Sequence, residues 1–382
     1  MKKKILHIIT SIDNGGAENH LVDLILKQVN LFDIFLIYFK GNNYHLSKLE
    51  RFGVKVYKIS FFRFSFYKFI TNFFKIIKIY KNIKPDIVHC HLWLSEIYGL
   101  MLKFFYKNFF LVITKHLDSF IFEGSYGHNK ILKGIFLERM IFKYSDHIVF
   151  ITHAVKKFFL KKITITKKKY SIIYYGVNTK IFKKKKNFFT KRKLNIDNDS
   201  YVIGCVARHV EQKNLDFVIK SFSHFLKNNP QIKIKLIMIG KGHLTEKLIK
   251  LSEDLGLNNK VIWIKETNNI VSYFNIFDMI CLVSNYEGLG RVLLEAIACK
   301  VPILATRTGG IPEIVKHKYD GYLINSMNMN KFSNYILKTL KLSKSKIFNK
   351  NLLRNKYLLS LERVFLQINK IYYNFLKKKK NS

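Results

Sequence analysis

Acidic residues are scarce in this chain: 25 Asp and Glu stand against 67 Lys and Arg, a formal net charge of +42 over 382 residues. An excess of that size implies an anionic partner, whether nucleic acid, an acidic membrane or a phosphorylated ligand. Lys, Ile, Phe and Asn dominate throughout, as in the product of an AT-rich coding sequence, so compositional drift is an equal account of part of the excess. Proline (4) and glycine (18) are also few, which excludes collagen-like and linker-rich disordered classes. Cysteine is limited to Cys90, Cys205, Cys281 and Cys299, with no C-x-x-C pair among them. They read as small buried hydrophobes in a reducing cytosol, not as a disulfide framework. No uncharged apolar run reaches the ~18 residues that a membrane-spanning helix needs. The opening MKKKILHIITSIDNGG has basic residues before an apolar stretch, but the stretch is short, contains His7 and runs into a Gly pair. It lacks a leader's small-residue cleavage site. No short internal repeat is present.

What is present is hydrophobic material in a regular rhythm. At 48% hydrophobic residues the chain has ample apolar mass, and its length exceeds that of a usual single core, so two domains are expected. In the first half ILHIIT, FDIFLIYF, VKVYKI, DIVHC, FFLVIT, HIVFIT and SIIYY read as buried strands. Residues 18–29, 66–83, 93–107 and 130–144 read as amphipathic helices between them. The alternation predicts a parallel sheet covered by helices on both faces. Residues 183–200, KKKKNFFTKRKLNIDNDS, break it with a charge run and turn formers, the pattern of a linker. The rhythm restarts with YVIGCVA, IKLIMIG, KVIWIK, DMICLVS and VPILAT. The expected architecture is α/β, two Rossmann-like domains over 1–185 and 186–355. A C-terminal helix and Lys-rich tail over 356–382 would pack back on the first domain.

The chemistry concentrates in SNYEGLGRVLLEAIACKVPILAT, where a strand ends at Ser284 and a helix begins near Gly290. Gly288 and Gly290, with Leu289 between them, permit close approach of a ligand, and the free N–H groups of a helix start attract phosphate. Glu287 and Glu295 stand eight positions apart, up to ~12 Å along a helix, about the length of a sugar-diphosphate-ribose. Two solvent-facing glutamates on an ordinary helix would show the same spacing, so the surroundings must decide.

Those surroundings resemble the Glu, seven residues, Glu signature of family-4 glycosyltransferases, in the setting S-x-x-E-G-x-G-x-x-x-x-E-A. The likeness continues through Gly309, Gly310, Pro312 and Glu313 to Asp320-Gly321. GCVARHVEQKN resembles the family's Gly-Arg-loop-Lys segment and pairs Arg208 with Lys213. In the first half, Gly15 and Gly16 of GGAEN resemble the glycine-rich loop after the first strand, where a plain tight turn is the competing reading. His116 of LVITKHLDSF resembles the histidine that the family places near the donor sugar, against the ordinary reading of a packed histidine. YYGVN at 174–178 is similar to the family's N-G-V-D motif, with Tyr175 and Asn178 as departures, and is taken as structural. Lys300 stands where the family has Gly, and Lys265 and Glu266 occupy a position near the nucleotide base where Gly is common.

The resemblance implies the GT-B fold, two domains facing each other across a cleft, and retaining transfer of a sugar from a nucleotide-diphosphate donor to an acceptor hydroxyl. His116 and Glu287 would be the catalytic residues. Gly15, Gly16, Arg208, Lys213, Gly288, Leu289, Gly290 and Glu295 would bind the donor, with Arg208 and Lys213 neutralising the leaving group. No cofactor and no metal are expected on this reading. His89 and His91 in VHCHLW lack neighbouring carboxylates and read as packing or acceptor contacts.

A basic aromatic stretch at 61–83 places Lys68, Lys75, Lys78 and Lys81, with Thr71 and Asn72, in a stripe beside a broad apolar face. It suits either a helix packed on the sheet or one lying on an anionic membrane. Expected partners are therefore the nucleotide-sugar donor, a glycan or lipid-linked acceptor and an anionic membrane surface, in a cytoplasmic, peripheral setting. Two rivals stay open, a GT-B relative such as an epimerase or phosphorylase, and a basic nucleic-acid-binding protein. The second is disfavoured because the cations are spread along the chain without a recognition motif.

Overall fold

The structure is a computed structural model that describes residues 2–41, 43–60, 65–117, 128–164, 169–185, 188–343 and 360–380. It divides into two compact units, Met1–Tyr175 with Leu361–Ser382, and Gly176–Ser360.

The first unit runs β1 (Lys3–Ser11), α1 (Gly16–Gln28), β2 (Phe32–Lys40), α2 (Leu46–Arg51), β3 (Lys55–Lys58), α3 (Phe66–Ile83), β4 (Ile87–His91), α4 (Trp93–Phe105), β5 (Phe110–Lys115), α5 (His128–Tyr144), β6 (His147–Phe150), α6 (His153–Leu160) and β7 (Tyr170–Ile172). The strands form one parallel sheet in the order β3-β2-β1-β4-β5-β6-β7. Continuous apolar runs such as Ile5, Leu6, Ile8 and Ile9 of β1 are buried because helices cover both faces. The helix starts carry legible caps. Ser65 accepts the Lys68 amide at 3.3 Å before α3, and Thr152 accepts the Val155 amide at 3.1 Å before α6.

The second unit runs α7 (Phe188–Lys193), β8 (Tyr201–Val206), α8 (Leu215–Asn228), β9 (Ile234–Ile239), α9 (Thr245–Asp254), β10 (Val261–Ile264), α10 (Ile270–Ile276), β11 (Met279–Leu282), α11 (Arg291–Ala298), β12 (Ile303–Thr306), α12 (Ile311–Ile314), β13 (Gly321–Ile324) and α13 (Met329–Ser343). Its parallel sheet has the order β10-β9-β8-β11-β12-β13. The last helix, α14 (Leu361–Lys380), belongs to the first unit. There Phe375 stacks on Phe110, and Arg363 donates to the Tyr174 carbonyl at 2.9 Å.

Three expectations shift. The first unit ends at Tyr175, ten residues before the boundary placed at 185. The charge run at 183–200 lies inside the second unit, because Asn275 of α10 accepts the Lys185 amide at 2.5 Å and donates to the Lys183 carbonyl at 3.2 Å. Asn72, placed on the basic stripe by spacing, is buried and donates to the Ser60 carbonyl at 2.8 Å. Residues 61–64 of that stretch lie outside the described residues.

In each sheet the order of succession reverses once, between β1 and β4 in the first unit and between β8 and β11 in the second. Open parallel sheets bind ligands at the carboxyl ends of the strands that flank such a reversal.

Candidate functional site

In the second unit the loops leaving β8 and β11 are laced together at the reversal. The Asn285 amide donates to the Gln212 carbonyl at 2.9 Å, the Gln212 side chain donates to the Tyr286 carbonyl at 2.9 Å, and the Asn285 side chain donates to the Glu211 carbonyl at 3.1 Å. This lacing brings Lys213, on the short 3-10 turn Glu211–Lys213, onto Glu287. Lys213 Nζ hydrogen bonds to Glu287 Oε2, which also accepts from Ser284 Oγ at 3.1 Å. Both partners are largely buried, so neither charge stands alone in the site.

The loop after β12 sets Glu287 from below. The Gly310 amide donates to the Glu287 carbonyl at 3.1 Å. At Gly309, with φ +52°, a Cβ would lie 1.6 Å from that carbonyl oxygen, so only glycine fits. Thr306 Oγ1 donates to the Ser284 carbonyl at 2.8 Å, and Thr308 Oγ1 to the Asn285 carbonyl at 3.2 Å. Behind the β8 loop sits the turn after β9, where Cβ atoms at Gly240 and Gly242 would meet the carbonyl oxygens of Ala207 and His209 at 2.0 and 2.1 Å.

Arg208, on the same loop as Lys213, is exposed; its carbonyl accepts from the Val210 amide at 3.0 Å, and its guanidinium has no hydrogen-bond or ion-pair partner among the described residues. It offers a fixed fork of donors to an anion. Glu295 is buried on α11 and accepts from Arg291 Nε at 3.0 Å, one turn earlier. Gly290, left-handed at φ +80°, is the N-cap of α11, while the Leu289 side chain is buried in the core. Of Leu289, then, only the backbone is available to a ligand. The second unit holds one Asp-x-Asp triplet among its described residues, Asp197-Asn198-Asp199. It stands at the amino end of β8, where Asp199 pairs with Lys233 at 2.8 Å, remote in the sheet from the carboxyl-end loops.

In the first unit Gly15 is the N-cap of α1 and Gly16 its first residue. The helix start already holds an anion of its own chain. Glu18 folds back over Gly15, whose Cβ would meet Glu18 Oε2 at 2.3 Å, and Ser11 Oγ donates to Glu18 Oε1 at 2.6 Å. His116, just past β5, is buried with both ring nitrogens engaged, Nε2 with His91 Nδ1 at 3.2 Å and Nδ1 with the Tyr175 hydroxyl. Burial, with Lys115 adding, holds its pKa down at about 3, so the ring is neutral at ordinary pH. Lys115 is buried between Glu96 and Glu138, at 2.5 Å from each. Burial works against its charge, but the two carboxylates outweigh that and raise its pKa.

His7, His89 and His91 present ring nitrogens within 4.8 Å of one another, a spacing that a metal ion could bridge. All of their nitrogens but one are committed to side chains, the exception being His7 Nε2, which is buried without a hydrogen-bond partner among the described residues. His7 Nδ1 meets His91 Nε2 at 3.3 Å, and His89 meets the Tyr372 hydroxyl at 2.6 Å and Thr114 Oγ1 at 2.7 Å.

The second unit thus gathers Lys213, Glu287 and the 288–290 turn in one place, while Gly15, Gly16 and His116 lie at the carboxyl edge of the first sheet. Sequence reading missed the lacing residues Gln212 and Asn285, although both flank motif positions. It also missed the Gly240-Lys241-Gly242 turn, whose signal was a G-x-G directly after an apolar strand.

Comparison with known proteins bears on the family and the fold. Residues 14–181 match the family described as Glycosyltransferase Family 4, and residues 186–355 match Glycosyl transferases group 1. An uncharacterized glycosyltransferase of Methanocaldococcus jannaschii is 25% identical over 254 residues, 64% of this chain and 63% of the relative. The UDP-Gal:alpha-D-GlcNAc-diphosphoundecaprenol alpha-1,3-galactosyltransferase of Escherichia coli is 25% identical over 295 residues, 76% of each chain. The crystal structure of Anabaena HepE in complex with UDP-glucose superposes with a TM-score of 0.83 at 18% identity, covering 97% of this chain and 99% of that one. The aligned part of the Methanocaldococcus relative is thus a little under two thirds of its length. The chain belongs to the family-4 glycosyltransferases, with the two-domain α/β fold of that family.

Proposed function

We propose that the chain moves a sugar, with retention at the anomeric carbon, from a nucleotide-diphosphate donor to an acceptor hydroxyl during assembly of a cell-surface glycan. Lipopolysaccharide, capsule and lipid-linked oligosaccharide are the products in view. The observation that carries this reading is the Lys213–Glu287 pair at the reversal of the second sheet, on the same laced loops as the exposed Arg208. A diphosphate entering there would recruit Arg208 and Lys213. Release of Lys213 then frees the Glu287 carboxylate to accept hydrogen bonds from the sugar. The amides at the start of α11, with Gly288 and Gly290, add backbone donors, and Glu295 takes the ribose diol. Two cations and a helix start supply the charge that the leaving diphosphate requires, so the reaction as proposed runs without a metal or other cofactor. The family resemblance assigns His116, with Gly15 and Gly16 of the first unit, to the donor sugar and phosphates. The Escherichia coli relative is named for a UDP-sugar donor and a diphosphoundecaprenol-linked acceptor, and HepE was crystallised with UDP-glucose. Both names favour a uridine donor and a lipid-linked acceptor here.

We further propose that the chain works in the cytoplasm as a peripheral protein on an anionic membrane. Phe66, Tyr67 and Phe74 of α3 are exposed at 80, 75 and 64%, with Lys75, Lys78 and Lys81 exposed along the same helix. Among the described residues no helix is long and apolar enough to cross a membrane. Each cation near an anionic surface contributes ~1 kcal/mol, so sedimentation with anionic vesicles should weaken with salt. Equal binding to neutral vesicles would refute the electrostatic part.

A melting-temperature panel of UDP, GDP, ADP and their sugars tests the donor site, since a ligand of the native state must raise the midpoint. No shift with any of them would end the reading. Nucleotide diphosphate that appears only when an acceptor is supplied separates transfer from epimerase or phosphorylase chemistry.

A further inference from the structure

The loop that carries Arg208 and Lys213 is tied on two flanks. Toward β11 it is held through Gln212, Asn285 and Glu287. Toward β9 it is held through His209, whose side chain is 1% exposed while that of Arg208, its neighbour, is exposed. A three-residue turn centred on His209, closed by the Val210 amide on the Arg208 carbonyl at 3.0 Å, sets the two apart. Both backbone groups of His209 engage the turn after β9. Its amide donates to the Lys241 carbonyl at 3.0 Å, and its carbonyl accepts the Leu244 amide at 3.2 Å. On the other side of Arg208, the Ala207 amide donates to the Ile239 carbonyl at 3.0 Å. Arg208 therefore stands between two residues anchored to the same neighbouring segment.

The His209 ring locks into that segment as well. Its Nδ1 lies 2.9 Å from Thr245 Oγ1 at the start of α9, and the ring meets Trp263 of β10 edge to face, centroids 5.6 Å apart. The other contacts of the Thr245 hydroxyl decide which atom brings the proton. Thr245 Oγ1 accepts the Gly242 amide at 3.0 Å and lies 2.7 Å from the Gly242 carbonyl oxygen. A carbonyl oxygen only accepts, so the single hydroxyl proton goes there and His209 Nδ1 must donate. With the proton on Nε2 instead, two lone pairs would face each other across 2.9 Å. The ring is thus the Nδ1–H tautomer. Its Nε2, buried beside Gly240, has no hydrogen-bond partner among the described residues. Burial lowers the ring's pKa, so it stays neutral at ordinary pH.

We infer that His209 is a positioning residue for Arg208: its Nδ1–H bond to Thr245 clasps the β8 loop to the turn after β9 and fixes the backbone from which the guanidinium reaches an anion. The functional part rests on the proposed binding of a diphosphate by Arg208. A loop free to swing would add its own ordering to the cost of binding, and a clasped one does not. The Glu211–His243 pair spans the same two segments, but both side chains are largely exposed, so it adds little.

Long-range proton–nitrogen NMR of the full chain, labelled with nitrogen-15 histidine at pH 7.5, reads the clasp without any nucleotide. The signal that His209→Asn removes should show the Nδ1–H pattern; an Nε2–H or doubly protonated pattern would overturn the clasp. Calorimetric titration with UDP tests the positioning. His209→Leu and Thr245→Val should each weaken UDP binding about tenfold. His209→Asn, whose side-chain amide offers an N–H at the reach of Nδ1, should bind UDP within about twofold of the unaltered chain. On an Arg208→Ala background His209→Leu should cost nothing further, because the residue it positions is gone. A full additional loss there, or equal weakening by the Leu and Asn variants, would reduce His209 to a structural part. Unchanged binding in folded His209→Leu would overturn the role at once, and should that variant fail to fold, Thr245→Val carries the same comparisons. An unaltered chain that binds no UDP would overturn the positioning role together with the proposed donor site and leave the tautomer result standing.

Discussion

Acidification should unfold the first unit before the second, because the buried histidine network cannot take up protons. His7, His89, His91 and His116 are fully buried. Burial lowers all four, His7 to about 4, His116 to about 3, and His89 and His91 well below the usual 6.5, with repulsion between neighbouring rings adding for that pair. A group whose folded pKa is depressed contributes stability that is complete above its unfolded pKa and is lost as pH falls toward the folded value. The window is therefore pH 6.5 down to about 4. At pH 5.5 each such histidine costs about 1.4 kcal/mol, from 2.303RT per pH unit of proton uptake by the unfolded chain, and four cost about 5–6 kcal/mol. Domains have only about 5–15 kcal/mol in all, so unit 1 should approach its unfolding boundary near pH 5.5. The assay uses the chain's two tryptophans, Trp93 in the first unit and Trp263 in the second. Urea midpoints followed in Trp263→Phe report the first unit and in Trp93→Phe the second. The first should take up about three to four protons on unfolding at pH 5.5. An uptake below one proton between pH 6.5 and 5 would show that these rings are protonated in the folded state, and the network as described would be wrong.

Three further outcomes follow from the second unit. Glu287→Ala and Lys213→Ala should each lower transfer at least about a hundredfold with the near-ultraviolet circular dichroism intact; near-normal turnover in either contradicts the site. Gly309→Ala forces a Cβ into the Glu287 carbonyl at a left-handed backbone. It should destabilise by about 2 kcal/mol or more and abolish the nucleotide-induced melting shift, whereas an unaltered shift would show that this turn does not position Glu287. Lys300 sits at φ +58°, in the left-handed position of a helix C-terminus where the Lys300 and Val301 amides return to Ile297 and Ala296. Lys300→Gly should raise the second unit's stability by about 1 kcal/mol in urea, and a fall would mean that the lysine side chain contributes more than its backbone strain costs.

What the sequence made legible depended on how local each feature was. The strands of both sheets stand out because a parallel sheet buried on both faces needs uninterrupted apolar runs, and ILHIIT or IKLIMIG carry little else. The short helices α2 and α6, and the four-residue β13, were not separable from loops, since one or two turns carry too little periodicity. The 284–295 motif was readable because strand end, turn and helix start are contiguous. Its pairing with Lys213, 74 positions earlier, was suggested only by resemblance; register and lacing in the structure make it a contact. The histidine network was invisible in sequence. His7, His91 and His116 meet only because the strand order places β1, β4 and β5 side by side.

The +42 charge and the candidate site turn out to be largely separate matters. Among the described residues the buried cations are Lys115, Arg291 and Arg363, against the buried carboxyl groups of Glu18, Glu96, Glu138, Glu287, Glu295 and Asp320. The interior is thus poorer in cations than in carboxylates, and the whole basic excess lies outward, where salt screens it within about 10 Å. Lys213 and Arg291, the cations beside the two motif glutamates, are already neutralised by them. Of the two cations on the loop after β8, only Arg208 stands exposed. On the proposed reading a diphosphate would have to win Lys213 from Glu287, and the same exchange would unmask the carboxylate for the sugar. Phosphate alone would recruit Arg208 but has no sugar hydroxyls to repay the uncovered Glu287, so on that reading specificity for a sugar-bearing diphosphate would follow from the pairing itself. Drift in the surface lysines would leave that selectivity untouched, whereas reversing the single pair, as Lys213→Glu with Glu287→Lys, should remove it even though the net charge stays the same.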